Sequence, residues 1–174
     1  GKVSNCLVHP SVRQASHDIF ARDISKELQW CKEHIDDEFK AEFTAVYDGL
    51  APVKYSKASV SDAFGKAKDL LTSNAVKILI MNGKNAISSD QYSTGANIVI
   101  GGNTLGRGVT FPSLHTIYYT RTAKKPQADT MWQHSRMFGY DRDPGLMMVY
   151  IDEPLYKLFS DINATNNALI AQVE

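Results

Sequence analysis

The chain lacks the features of a disulfide-bonded or membrane-spanning protein. Its two cysteines, Cys6 and Cys31, are too few among 174 residues for a disulfide framework, and they form no metal-ligand spacing. We expect both to be buried free thiols in a reducing compartment. No apolar run approaches the roughly 18 residues that a membrane-spanning helix needs. We therefore expect a cytoplasmic protein that makes no membrane contact.

The chain also lacks an excess of charge of either sign. Lysine plus arginine and aspartate plus glutamate number 19 each, so the formal net charge is zero. This composition does not indicate a broad basic surface for nucleic-acid binding. Any contact with nucleic acid must therefore come from a local patch. Apolar residues make up 43% and charged residues 22%, an ordinary globular balance. We expect residues 1–174 to form a single domain and to be a fragment of a larger chain.

A third absence concerns nucleotide binding. No Gly-Lys-Ser or Gly-Lys-Thr triplet occurs, so the chain has no Walker A loop to cradle phosphates. We also find no acidic pair that follows a buried strand in the manner of a Walker B motif. A chain without either motif is not expected to hold magnesium and nucleotide by itself, and we predict no metal site.

Hydrophobic periodicity predicts alternating strands and helices. Predominantly apolar runs predict strands at 3–8, 76–81, 98–100, 116–119 and 146–151. Helical spacing predicts a helix from a Ser11 cap toward residue 34, a second over 36–50, a third capped by Ser59 or Ser61, a fourth over 127–138 and a last one from Pro154. The pattern indicates an α/β fold, a mostly parallel sheet with helices on both faces. We interpret residues near 36–59 as a helical insertion.

A glycine-rich loop follows the strand predicted at 98–100. Residues 101–110 read GGNTLGRGVT, with four glycines in eight residues. Glycine lets the backbone approach a ligand closely, and exposed amides in such a loop can meet phosphate oxygens. Arg107 adds a guanidinium that can bind phosphate. On glycine content alone, a tight connection with a surface arginine explains the loop equally well.

Two arginines flank a turn at the end of the helix predicted over 127–138. Residues 133–142 read QHSRMFGYDR. Because a guanidinium is always ionised and can bind two oxygens at once, arginine suits the stabilisation of a transferring phosphoryl group. Solvated or salt-bridged arginines are the commoner explanation of such a pair. We interpret His115 and His134 as structural histidines.

The order of these two elements resembles motifs V and VI of superfamily 2 helicases. Residues 98–110 (IVIGGNTLGRGVT) followed by Gln133 and by residues 136–140 (RMFGY) are closer still to the Z1 domain. That family occurs in ATPase subunits of ATP-dependent restriction systems and related bacterial defence systems. Upstream, residues 6–11 (CLVHPS) resemble the motif IV strand and turn, and residues 80–84 (IMNGK) resemble the next strand and its turn. The resemblance covers most of the chain in order and is thin over 36–59.

The resemblance implies the second RecA-like lobe, the helicase C-terminal lobe, of an ATP-dependent DNA translocase or helicase-like subunit. In such motors the first lobe supplies both Walker motifs and Mg²⁺, and the second lobe supplies arginines across the cleft. Arg136 is the implied catalytic arginine, and Arg142 is the second choice because the position three after Arg136 is a glycine. The residues implied for ATP binding are Gly108, Thr110 and Gln133. Those implied for nucleic-acid binding are Ser11, Asn82, Gly83, Asn103, Thr104 and Arg107.

The resemblance also implies partners and cofactors. ATP and Mg²⁺ would be bound mainly by a first lobe outside this sequence, so the isolated fragment is expected to bind neither and to be inactive. The implied partners are DNA, a first RecA-like lobe on the same chain, and a nuclease or other restriction-system subunit. Two alternatives stay open: a non-catalytic nucleic-acid-binding or assembly domain, and an endonuclease, since Z1 domains often carry that label. The late acidic residues that an endonuclease centre would have to use are Asp141, Asp143, Asp152 and Glu153.

Overall fold

A computed structural model describes residues 2–10, 13–49, 58–82, 87–102, 105, 109–120, 145 and 147–173, with only the backbone given for Gln14 and Val173. Along these residues the elements are β1 (Val3–His9), α1 (Gln14–Glu33), α2 (Glu38–Gly49), α3 (Val60–Thr72), β2 (Val76–Met81), α4 (Ser89–Tyr92), β3 (Gly95–Gly101), β4 (Leu114–Tyr119), β5 (Met148–Ile151) and α5 (Glu153–Val173). None of the described helices has the length and apolar character needed to cross a membrane.

The described strands form one sheet in the order β2-β3-β1-β4-β5. Every neighbouring pair is parallel. β1 lies at the centre, where Leu7 pairs with Val99 of β3 on one side and with Ile117 of β4 on the other. This order confirms the predicted α/β fold with a parallel sheet and is consistent with a RecA-like architecture. Since all strands run the same way, their carboxyl ends meet at a single edge of the sheet.

Helices lie on both faces of the sheet, as predicted. Successive side chains of a strand point to opposite faces. Leu7, Val99 and Ile117 are fully buried on the face that we call the core face, together with Leu155 of α5 and Tyr92 of α4. The opposite face, which we call the α1 face, carries the other set of strand side chains, and α1 packs there on β2 and β3.

The predicted boundaries needed several corrections. α1 begins at Gln14 with Arg13 as its N-cap, so the predicted Ser11 cap was wrong. β3 and β4 are longer than predicted, because pairing with β1 extends to Gly95 and Leu114 at the amino edge. α4 had not been predicted. The helix predicted over 127–138 lies outside the described residues.

Ser59, one of the two candidate caps, begins α3. Its hydroxyl oxygen accepts a hydrogen bond from the amide of Asp62 at 3.1 Å, and its own amide donates to the Asp62 carboxylate at 3.3 Å. The hydrogen bonds from Ser59 also lower the pKa of Asp62. This reciprocal arrangement is a capping box, which satisfies two amides that the first helical turn leaves without intrahelical partners.

α2 lies within the predicted insertion and is attached to α3 by aromatic contacts. None of its described side chains is fully buried. Phe39 and Phe43 lie against Phe64 of α3, with ring centroids 6.1 and 5.5 Å apart. This placement beside α3 is compatible with an insertion, which stays a prediction because residues 50–57 lie outside the described part of the chain.

The two cysteines are free, as predicted, but only partly buried. Cys6 lies on central strand β1, and burial raises the pKa of its thiol to about 11. Cys31 lies on α1, where burial and the nearby Glu27 and Glu42 carboxylates raise its pKa. Both thiols therefore stay protonated at neutral pH, which makes them poor nucleophiles.

Substitution of Gly101 by alanine is expected to destabilise the fold. A Cβ atom at this position would lie 2.5 Å from the Met81 carbonyl oxygen and 2.9 Å from the Leu105 side chain. Because the nearest atom is backbone, β2 and β3 would have to separate, at a cost of about 1–3 kcal/mol in the free energy of unfolding. Urea unfolding followed by circular dichroism measures this cost.

Gly65→Ala is the matched control, because a Cβ atom there meets nothing within 4 Å and the residue lies inside α3. It should stabilise the protein by about 0.5–1 kcal/mol. If Gly101→Ala were as stable as the parent chain, the close approach of β2 and β3 at Gly101 would be wrong.

Candidate functional site

The carboxyl edge of the sheet brings together the starts of the segments that carry the sequence motifs. The strands end there at His9, Met81, Gly101, Tyr119 and Ile151. Asn82 follows β2, the glycine-rich loop follows β3, and the stretch leading to residues 133–142 follows β4. In open α/β sheets, ligands bind outside the carboxyl ends of the strands. This edge is therefore the candidate functional site.

The strand order creates a switch point between β1 and β4. The chain leaves β1 toward β2 on one side of the sheet and leaves β4 toward β5 on the other. Diverging connections of this kind open a crevice between the two strand ends. The ring of His9 lies against that of Tyr119, with centroids 5.0 Å apart, and the Thr120 amide donates to the His9 carbonyl at 3.2 Å. These contacts join the ends of β1 and β4 at the switch point.

His9 is a residue whose place the sequence did not reveal. It is fully buried at the end of β1. His-Pro had been interpreted only as the turn after a strand. The one signal available was an imidazole that directly follows an apolar run, and this signal does not distinguish a turn residue from a buried one.

The first part of the glycine-rich loop is fixed to the protein core. Gly101 and Gly102 are buried. The Leu105 amide donates to the Gly102 carbonyl at 3.0 Å, and the Leu105 side chain is 2% exposed within the core cluster. A loop anchored in this way has fewer conformations to lose when it binds a ligand.

A buried asparagine pair fixes the other end of this loop. The Asn5 side-chain amide donates to the carbonyl of Pro112 at 2.6 Å and to that of Tyr92 at 3.0 Å. The Asn97 amide donates in turn to the Asn5 side-chain oxygen at 3.0 Å. The loop thus enters β4 next to Ser113, whose φ of 47° is in the left-handed region. Asn5 lies within the strand predicted at 3–8, whereas Asn97 precedes the strand predicted at 98–100; a polar side chain within or beside an apolar run was the signal that could have identified them.

The N-terminus of α1 opens at the same edge of the sheet. α1 has 20 residues, its N-cap Arg13 makes no side-chain capping bond, and its first turn contains no acidic residue. The first amides of a helix lack intrahelical partners and carry a partial positive charge. This end of α1 therefore favours an anion such as a phosphate group.

Two of the predicted site residues belong to the described part of the chain. Asn82 follows β2 directly at the carboxyl edge and is partly buried. Thr110 is exposed, one residue before Phe111, whose ring packs against that of Tyr92 at 4.8 Å. Outside the described residues lie the other predicted site residues, Ser11, Gly83, Asn103, Thr104, Arg107, Gly108, Gln133, Arg136 and Arg142.

Two of the acidic residues considered for an endonuclease centre follow a strand, although this strand is not buried as in a Walker B motif. Asp152 and Glu153 come directly after β5, a partly exposed edge strand. Both are exposed, and both contribute to the start of α5: the Tyr156 amide donates to the Asp152 carbonyl at 2.8 Å, and Glu153 pairs with Lys157 at 2.8 Å. Within the described ranges, no group of three or more potential metal ligands is found.

Comparison with known proteins gave one match. A family model described as the Z1 domain matches residues 2–174. The match runs from β1 to the end of α5, and it includes the glycine-rich loop and the arginine-bearing segment 133–142. No match was found among curated proteins or among solved structures.

Substitution of Asn5 by alanine is expected to lower the free energy of unfolding by about 2–4 kcal/mol. It removes the donor shared by the Tyr92 and Pro112 carbonyls and leaves Asn97 without its bond to Asn5. Urea unfolding measures the loss. Asn163→Ala is the control, because Asn163 is exposed on α5 and should change stability by less than about 0.5 kcal/mol. Equal stabilities of the two variants would contradict the role of Asn5 in fixing the loop.

Proposed function

The chain belongs to the Z1 domain family, and we propose that it acts as the second RecA-like lobe of an ATP-dependent DNA translocase or helicase-like subunit. The observation that carries the proposal is the topology of the carboxyl edge. The glycine-rich loop leaves β3 and the arginine-bearing segment leaves β4 at the same edge, on either side of the central strand β1. A phosphate group in the crevice beside β1 lies within reach of both connections.

In this proposal the lobe completes an ATP site that it cannot form alone. A first RecA-like lobe supplies the Walker motifs and Mg²⁺, because this chain has no Walker A sequence. Arg136 stabilises the charge that develops on the γ-phosphate, and Arg142 is the alternative for this role. Gly108, Thr110 and Gln133 contact the nucleotide. Hydrolysis opens the cleft between the lobes, and the isolated chain has no turnover of its own.

The same edge is proposed to hold the DNA backbone. The N-terminal amides of α1 and the polar residue Asn82 are suited to phosphate oxygens and carry no base-specific information. Ser11, Gly83, Asn103, Thr104 and Arg107 extend this set. A formal net charge of zero fits a narrow phosphate track better than a broad basic surface.

The setting we propose is a restriction or related defence complex in the cytoplasm, in which the motor works beside a nuclease or another subunit. A non-catalytic DNA-binding role is the second candidate. It is favoured by Thr110, an uncharged and exposed residue at a position where the helicase motif carries an acid. The two roles differ in one measurable property, because only a motor lobe makes the DNA affinity of the full-length protein depend on bound nucleotide.

Substitution of Arg136 by alanine in the full-length protein should reduce ATP turnover by about 10³-fold or more while DNA binding is largely retained. The guanidinium is required in the transition state of phosphoryl transfer, where such an arginine contributes about 10³–10⁵ in rate. Steady-state phosphate release measures turnover, and fluorescence anisotropy measures DNA binding.

Arg142→Ala tests the alternative arginine in the same assay, and Arg22→Ala is the control. Arg22 lies exposed on α1, where it contacts only the exposed Asp23 among the ion pairs described. It should leave turnover within about twofold of the parent. Normal turnover in both the Arg136 and the Arg142 variants would exclude an arginine contribution from this lobe.

A further inference from the structure

Among the described residues, part of the α1 face of the sheet has no helix packed on it. α1 packs on β2 and β3, whereas Tyr118 of β4 and Tyr150 of β5 are 41% and 45% exposed. Their rings lie side by side, with centroids 6.3 Å apart. Parallel sheets are normally covered on both faces, because their strands are apolar on both sides. The two tyrosines therefore mark a part of this face that none of the described helices covers.

A groove of about 440 Å³ runs between α1 and these strands. Its volume lies within the range of about 300–1,000 Å³ that is common for binding pockets. One wall is a single face of α1, formed by residues at helical spacing: Phe20, Asp23, Ile24 and Glu27. The floor and the far wall come from the strands: Cys6, Val8, Ile98, Thr116, Tyr118 and Tyr150.

We propose that this groove binds an amphipathic helix of a partner protein, with a lysine or arginine beside its apolar stripe. The dimensions favour a helix. A helix is about 10 Å across and neighbouring strands are about 4.8 Å apart, so one helix covers two strands. Since α1 covers β2 and β3, a second helix laid beside it would lie over β4 and β5, whose Tyr118 and Tyr150 are exposed. Helices that bind in grooves insert apolar side chains at i, i+3, i+4 and i+7 spacing.

The charge of the groove decides which helix fits. Among the described residues that line it are two carboxylates, Asp23 and Glu27, and no cationic side chain. The Asp23 carboxylate lies 3.6 Å from the Arg22 guanidinium and 3.8 Å from the Lys26 amine. All three side chains are exposed, and exposed ion pairs contribute little to stability. Glu27 takes part in none of the ion pairs found among the described residues. A basic side chain on the partner would lie between these carboxylates.

The same charges disfavour a second copy of this chain as the occupant. In a twofold contact the same surface meets itself. Asp23 and Glu27 of one copy would then approach those of the other, and carboxylates placed together repel. A separate amphipathic helix would place its apolar stripe on the floor of the groove and its basic side chain beside Asp23 and Glu27 in the α1 wall.

Two designed peptides test the proposal with the intact chain. Each is a dye-labelled helical peptide with leucines at i, i+3 and i+7 spacing; one carries lysines beside the leucines and the other carries glutamates there. Fluorescence anisotropy should show that the lysine peptide binds at least about tenfold more tightly. The difference should shrink in about 1 M salt, where charge interactions are screened beyond about 3 Å.

Substitutions locate the binding site. Glu27→Arg, a change at an exposed position that leaves the fold intact, should reverse the preference between the two peptides. Tyr150→Arg should weaken the lysine peptide at least about tenfold. Tyr156→Arg is its matched control, because Tyr156 is equally an exposed tyrosine but lies on α5 outside the groove, and it should leave binding unchanged.

Four results would overturn the proposal. Absence of binding up to about 1 mM of either peptide would show that the groove takes no helix. Equal binding of the two peptides would contradict the claim that the partner helix carries a basic side chain. The absence of any effect of Glu27→Arg on their ranking would contradict the same claim. Dimers in sedimentation that Tyr150→Arg abolishes would assign the groove to a second copy.

Discussion

The parallel pairing of β1 with β3 on one side and β4 on the other is the constraint on which the rest of the structure depends. A parallel neighbour cannot be reached by a hairpin, so each strand is followed by a crossover that starts at the carboxyl edge. Placing the first strand in the centre sends the chain in opposite directions from β1 and β4. The switch point between β1 and β4, where the rings of His9 and Tyr119 are in contact, follows from that order and needs no special residue to form it.

The loop that connects β3 to β4 is anchored to the protein core at both ends. At its start Gly101 allows β2 and β3 to approach closely and Leu105 enters the core; at its end the Asn5–Asn97 pair holds Pro112. Both ends are thus set by buried groups, and the exposed Thr110 lies between Leu105 and the Pro112 anchor. In the proposed motor these anchors hold the two ends of the glycine-rich loop at fixed places beside the sheet.

The strands and the fold class could be predicted from the apolar runs at 76–81 and 98–100. Short apolar runs of this kind indicate strands that are buried in a parallel sheet. The residues that fix the loop could not. Asn5 and Asn97 resemble any polar residue in a strand until long-range pairing brings them together. The predicted Ser11 cap was wrong for a related reason. A serine indicates only a local preference for the start of a helix, and the chain that leaves β1 begins its helix at Gln14. Likewise, the uncovered tyrosines follow from where α1 lies across the sheet, and nothing in the local pattern of Tyr118 or Tyr150 indicates it.

The central claim is that the carboxyl edge of this sheet faces a nucleotide bound between two lobes. Hydrogen–deuterium exchange of the full-length protein, with and without a non-hydrolysable ATP analogue, tests it most directly. The account predicts slower exchange in residues 101–110 and 127–142 when the analogue is bound. Protection confined to other parts of the protein, with exchange in both segments unchanged, would contradict it.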